Sequence, residues 1–294
     1  MQRLDKKIVD DVLRNIHREY VGDINGVRTG IGALDNIIGY LHNGGLYVIF
    51  GRPGIGKTDF AFNMVYQNSV INNNTVVYEM SDPSLNAEVF IRRLAKIMTG
   101  IGTCNPTRLS DQDKKKLEVA VDALQHKYIF MDTPLRGEVF DEIKISAEQF
   151  CLDSFAGIYP DYVVIDDFEH IEISSYPGQE RWDLSMKRLT SKLKKLAVDI
   201  NRPVIVLAEA SSGCELRADR RPVLSDLTYK SLSYDFLSYE ADCILSLYRE
   251  DYYDHDALPG IMEINVLTNL YGDTGRVMTG IMPGIGGYVD VDSW

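Results

Sequence analysis

The sequence predicts an α/β fold: a mainly parallel sheet flanked by helices, with an antiparallel hairpin extension. Three observations predict it. Apolar, β-rich runs alternate with helix-like stretches from about residue 30 to residue 207. A glycine-rich run ending in Lys57-Thr58 follows the first of those runs and opens the first of those stretches. After Asp242 the pattern becomes strand-rich, which fits hairpins added to one edge of the sheet.

In chain order, residues 1–20 read as one amphipathic helix. Leu4, Ile8, Val12 and Ile16 recur at i, i+4, Val9 and Leu13 widen the stripe, and Lys6, Asp10, Arg14 and Arg18 fill the other faces. Gly22 and Gly26 interrupt it. Residues 1–25 are therefore expected to be a linker or docking helix, packed on its own domain or on a neighbouring subunit, and residues 26–294 the main domain. Strands are expected at Leu46–Phe50, Val76–Glu79, Tyr128–Met131, Tyr162–Asp166 and Val204–Leu207, as apolar runs suited to a sheet buried on both faces. Helices are expected at Thr58–Asn68, Asn86–Thr99, Asp111–Gln125, Glu138–Ser154 and Arg181–Asn201. The last carries Lys187, Arg188, Lys192, Lys194 and Lys195, which read as a solvated helix face. The strand-rich end supplies Cys243–Tyr248, Ile261–Leu267, Val277–Ile281 and Tyr288–Val291.

Composition narrows the class. The 294 residues carry 31 Lys plus Arg against 43 Asp plus Glu, a formal charge of −12, with 45% hydrophobic residues. That is the make-up of an ordinary soluble globular protein and excludes collagenous, low-complexity and disordered chains. The apolar runs fall far short of the roughly 18 to 20 residues that a membrane span needs. The first fifteen residues mix acids with bases and lack an apolar core, so no signal peptide is expected there. Four cysteines without a CxxC pair point to a reduced, cytoplasmic setting. The acidity argues against nucleic-acid binding over the whole surface, and leaves room for a small basic channel.

The chemistry starts at Gly51-Arg52-Pro53-Gly54-Ile55-Gly56-Lys57-Thr58, a GxxxxGK[ST] match with a strand before it and a helix after it. Its glycines let backbone N–H groups face a phosphate. Lys57 would reach the β- and γ-phosphates, Thr58 would ligate Mg²⁺, and the helix N-terminus favours the anion. A magnesium nucleotide needs a further acidic anchor at a strand end, and Asp166, with Asp167 beside it, ends the run Tyr162-Val163-Val164-Ile165. Glu79 ends another strand, where a carboxylate would polarise the water attacking the γ-phosphate.

These residues resemble the RecA-like ATPase domain of DnaB-type replicative helicases. Gly26-Val27-Arg28-Thr29-Gly30-Ile31 with Leu34-Asp35 resembles that family's approach to the domain, Glu79-Met80-Ser81 its catalytic-glutamate strand, and Val164-Ile165-Asp166 its metal-side strand. Arg220-Arg221-Pro222-Val223-Leu224-Ser225-Asp226-Leu227, Glu240-Ala241-Asp242 and Leu247-Tyr248-Arg249-Glu250-Asp251-Tyr252-Tyr253 are its most specific passages. RadA- and KaiC-like ATPases share the phosphate loop but not those passages. The resemblance implies a homo-oligomer, a hexameric ring that binds ATP and Mg²⁺ between subunits and single-stranded DNA in its hole, with Arg220, Arg221 and Lys230 toward the DNA. It also implies that the first helix is the family's linker, and that the family's primase-binding N-terminal domain has no counterpart in the first 25 residues.

Three departures stand out. A family run with two bases, one an arginine finger, corresponds here to Thr268-Asn269-Leu270-Tyr271-Gly272, and Arg276 lies six residues beyond the missing arginine. The family's Ser-Gln sensor after the fifth strand corresponds to Ala208-Glu209. The loop 228–239 is four residues longer than the family's, with Lys230 as its only base and with Tyr229, Tyr234, Phe236 and Tyr239 available to stack or to pack. The expected function is an ATP-dependent DNA helicase or translocase acting in replication, encoded by a phage or mobile element. The alternative is a nucleotide-binding relative that assembles with, loads or regulates another replicative helicase without unwinding DNA itself.

Overall fold

The computed structural model describes residues 26–82, 84–102, 109–132, 160–171, 182–227, 236–254, 256–282 and 284–290. The helices expected at 1–20 and 138–154, and Lys230, lie outside the described residues. The strands are β1 (Leu46–Gly51), β2 (Val76–Met80), β3 (Ile129–Asp132), β4 (Tyr162–Asp166), β5 (Val204–Glu209), β6 (Cys243–Tyr248), β7 (Ile261–Asn269), β8 (Gly275–Ile281) and β9 (Tyr288–Asp290). The helices are α1 (Gly32–Ile38), α2 (Lys57–Val65), α3 (Ala87–Thr99), α4 (Asp111–Leu124), α5 (Trp182–Ile200) and α6 (Phe236–Glu240).

The strands form one sheet in the order β3-β2-β4-β5-β1-β6-β7-β8-β9. Neighbours from β3 to β6 run parallel, and β7, β8 and β9 are added antiparallel. The parallel strands are buried along their length, so their side chains alternate between two cores. Tyr47, Ile49, Tyr78, Tyr162, Val164, Ile205 and Leu207 face α2, α3 and the antiparallel extension. Leu46, Val48, Phe50, Val77, Val163, Ile165, Val204 and Val206 face Leu189, Leu193, Leu196 and Ala197 of α5. The bases Lys187, Arg188, Lys192 and Lys195 lie on the wet side of α5, as their spacing predicts.

Local sequence sets the helix ends. Asn86 caps α3 by accepting a hydrogen bond from the Val89 N–H at 3.0 Å, and Gly100 ends it at φ +68°. Ser110 and Asp113 form a reciprocal capping box at the start of α4. α2 continues as a π-helical segment, Tyr66–Ile71, where Asn68 Nδ2 donates to the carbonyls of Met64 and Arg28. The Thr29-Gly30…Asp35 passage gains a physical account: the Asp35 carboxylate accepts from the Thr29 N–H, the Thr29 hydroxyl and the Gly30 N–H at 2.8, 2.7 and 3.2 Å. α1, just behind it, is a helix that the sequence pattern does not announce.

Phe62 is fully buried, with its ring centroid 4.7 Å from Phe90 and 5.7 Å from Tyr78. Phe62→Ala is expected to destabilise the fold by about 3–5 kcal/mol, measured as a lower midpoint in urea unfolding.

Candidate nucleotide site

β1 lies between β5 and β6, and its C-terminal end, Gly51, opens the glycine-rich loop. A crevice at the carboxyl ends of parallel strands is where α/β sheets bind ligands. Gly54 and Gly56 adopt φ +74° and +120°, a region that L side chains avoid. Gly56 is also crowded: a Cβ there would stand 3.2 Å from Met262 Cε and 3.5 Å from the Tyr288 hydroxyl. No side chain caps the start of α2. Its first N–H groups therefore keep their capacity to bind an anion.

Lys57 is buried, with Nζ 3.2 Å from the Gly51 carbonyl and 3.5 Å from that of Arg52. Thr58 Oγ1 lies 3.4 Å from Asp166 Oδ1. The structure thus brings Lys57, Thr58 and Asp166 together. It adds Tyr78, whose hydroxyl donates to Asp166 Oδ2 at 2.8 Å. Tyr78 and Asp166 share a sheet face because β2 and β4 are neighbours, with Met80 opposite Asp166 in register. Glu79 is fully buried at the end of β2 and alternates to the opposite face from Tyr78.

Burial raises the Asp166 carboxyl to about 6, with the nearby Asp167 charge adding to it and Tyr78, Thr58 and Lys57 opposing it. Glu169, on the turn after β4, is raised by burial to about 7. Its Oε1 accepts the Glu209 N–H at 2.7 Å, which ties the turn after β4 to the end of β5. Sequence reasoning misses Tyr78 and Glu169. Only the strand order, which a single sequence does not print, brings them to Asp166 and Glu209.

The other predicted residues are placed differently. The Arg52 side chain turns toward the residues after β5, with Nε 2.7 Å from Glu215 Oε1 and Nη1 2.8 Å from the Ala210 carbonyl. Ile55 is buried in the core. Arg221 forks onto Glu263 at 2.6 and 2.8 Å and lies 4.6 Å above the Tyr248 ring, whereas Arg220 is exposed over the ring of Tyr253. Leu270 is exposed at the β7–β8 turn, and Arg276 is held by Asn265 at 2.7 Å and Glu263 at 3.5 Å.

The residues fit a magnesium nucleotide. Two left-handed glycines, an uncapped helix start and a buried lysine bonded to loop carbonyls make a phosphate cradle. Among the described residues no cluster of His, Cys, Asp or Glu could hold a metal by itself. Mg²⁺ here would take Thr58, Asp166 and the phosphate oxygens together, the donor set this ion prefers.

Fold and site define a P-loop nucleotide-binding domain of the RecA-like class. Over residues 26–286 the chain matches the DnaB-like helicase C-terminal domain family, and it belongs to that family. It is 28% identical over 271 residues to the replicative DNA helicase DnaC of Bacillus subtilis, covering 91% of this chain and 57% of that protein. It is 26% identical over 275 residues to the replicative DNA helicase DnaB of Geobacillus stearothermophilus, covering 92% and 58%. The chain thus spans somewhat over half the length of these relatives. A solved DnaB-like replicative helicase, described with its interactions with primase, has the same fold. The TM-score is 0.82 at 24% identity, with coverage of 97% of this chain and 67% of that one.

Glu169 supplies a pH prediction. Its folded value near 7 exceeds the unfolded 4.5, so its contribution favours the fold at low pH and is lost as pH rises through 7. Glu169→Gln keeps the acceptor for the Glu209 N–H and removes the buried charge. In the absence of nucleotide and metal, the variant is expected to be more stable than the parent at pH 8, by up to about 3 kcal/mol. The difference should vanish by pH 4 in denaturant titrations at the two pH values.

Proposed function

We propose that this domain binds and hydrolyses ATP with Mg²⁺ and couples turnover to movement along single-stranded DNA, as a DNA helicase or translocase in replication. The observation that carries the reading is the approach of Thr58 to Asp166 at 3.4 Å, beside the buried Lys57, at the end of a central parallel strand. Loop N–H groups and Lys57 bind the phosphates, and Thr58 and Asp166 hold the ion. When bound, Mg²⁺ neutralises charge on the β- and γ-phosphates. Glu79 acts as the base that orients and deprotonates the attacking water. Tyr78 holds one Asp166 oxygen, leaving the other toward Thr58. The working assembly is a homo-hexameric ring in the cytoplasm, encoded by a phage or mobile element. Single-stranded DNA passes through it, and a loader or a second replicative helicase is a further partner. No helix among the described residues is long and apolar enough to cross a membrane.

A second reading is favoured by one specific feature. Where the family carries its finger, this chain has Thr268 within β7 and an exposed Leu270 at the β7–β8 turn, and Arg276 is engaged by Asn265 and Glu263. A ring lacking that cation forgoes about 10³ to 10⁵ in rate. In this reading the domain binds nucleotide and joins or regulates another helicase, whose subunit supplies the arginine.

Turnover measured with and without single-stranded DNA, on a sample whose mass is recorded in solution, separates the two. The first reading expects a ring with DNA-stimulated hydrolysis. Glu79→Gln should lower that hydrolysis by about 10²- to 10⁴-fold while nucleotide binding persists, and Lys57→Ala should abolish both. Nucleotide binding without turnover at high protein concentration would leave only the second reading.

A further inference from the structure

We propose that Glu215 is a positioning residue that carries the state of the phosphate loop into the segment after β5. The inference rests on reading Gly51–Thr58 as a nucleotide site. Arg52 is held on two sides. Its carbonyl lies 3.5 Å from Lys57 Nζ and accepts the Ile55 N–H at 3.1 Å. Its guanidinium donates to Glu215 at 2.7 Å and to the Ala210 carbonyl at 2.8 Å. A phosphate in the cradle competes for Lys57 Nζ, and the contact it exchanges includes the one to the Arg52 carbonyl. Pro53 follows, and a residue before proline has a restricted backbone, so a shift at Arg52 is passed outward rather than absorbed in place.

Outward lies the 3₁₀ turn Ser212–Leu216, which contains Glu215. The Ser211 N–H donates to the Asp226 carbonyl at 2.7 Å, and Arg217 forks onto the Asp226 carboxylate at 2.6 and 2.7 Å. Asp226 in turn accepts the Val223 N–H at 2.8 Å. A displacement of Glu215 therefore reaches Asp226 from both ends of the turn. Asp226 and Leu227 close the described segment just before residues 228–235, part of the loop that the family resemblance directs toward nucleic acid.

Glu215 is not what keeps the turn folded. The fully buried Cys214 anchors it and the Arg217–Asp226 pair braces it. The Glu215 side chain is 35% exposed, and such an ion pair contributes little to stability. It remains suited to coupling, which needs only that two states of the pair respond differently to ligand.

The test is hydrogen exchange on the full chain, with and without Mg²⁺ and a non-hydrolysable ATP analogue, for the parent, Glu215→Gln and Glu215→Asp. The parent should show a nucleotide response at residues 51–58 and at residues 211–227. Glu215→Gln should keep the first response, with analogue affinity changed by less than about threefold, and lose most of the second; a coupling that is removed leaves the primary site intact. Glu215→Asp should restore it. An equal response at 211–227 in the parent and in Glu215→Gln, or none there in the parent, overturns the proposal. No response at 51–58 in the parent overturns the nucleotide reading itself, and the proposal falls with it.

Discussion

α2 keeps its start free of any side-chain cap while the rest of the helix is enclosed, and the other parts of the fold are arranged around that helix. Phe60, Ala61, Phe62, Asn63, Met64 and Val65 are all buried. A helix buried on every side has no freedom to slide, so its N-terminus is a fixed point. Asn63 extends the constraint to both ends of the described chain. Its Nδ2 donates to the Thr29 carbonyl at 3.2 Å, and its Oδ1 accepts the Tyr288 N–H at 3.3 Å. The Tyr288 hydroxyl then donates to the Gly56 carbonyl at 3.3 Å. The antiparallel extension is thus more than an edge added to a parallel sheet. It carries β9 back over the phosphate loop and holds the loop from outside.

Electrostatics follows from that enclosure. Asp166 and Glu169 sit where water is scarce, and each is less acidic than a carboxyl in solution because burial penalises its charge. These carboxyls lie on one side of the phosphate loop, and the Lys57 ammonium, bonded to two loop carbonyls, lies on the other. The magnesium complex of a nucleotide, with a cation at one end and anionic oxygens at the other, would suit both halves at once. The same arrangement explains why the overall charge of −12 says little about function. The sign that matters is set within a few ångströms of each group, not by the sum over the chain.

The strands and the phosphate loop were legible because they are local: apolar runs of the right length, and eight consecutive residues with a strand before them and a helix after. Asp166 was legible as the end of such a run. Tyr78 and Glu169 were not, because they meet their partners only through β2–β4 and β4–β5 adjacency, and Tyr78 by itself is one more aromatic in an apolar strand. Arg52 is a different case. Its place in the loop motif is a statement about its backbone, and its side chain answers to Glu215, 163 residues away. α1 lacked a signal because seven residues are too few to show a period.

The arginines after β5 bring charge back to the functional question. Affinity for a nucleic-acid backbone comes largely from counterions released when cations meet phosphates. A cation already forked onto a carboxylate must first exchange that partner. Arg217 is committed to Asp226, Arg221 to Glu263 and Arg249 to Asp251. Each is a bidentate pair, a geometry that a phosphate can match but not easily displace. Arg220 is exposed over an aromatic ring and is forked onto no carboxylate among the described residues. The passage Arg220-Arg221 that looks uniformly basic in sequence is therefore divided in space. Arg220 is exposed, while Arg221 braces β7, the strand that ends at Asn269 just before the exposed Leu270. Through Glu263, Arg221 is joined to the hairpin on which Arg276 is also held.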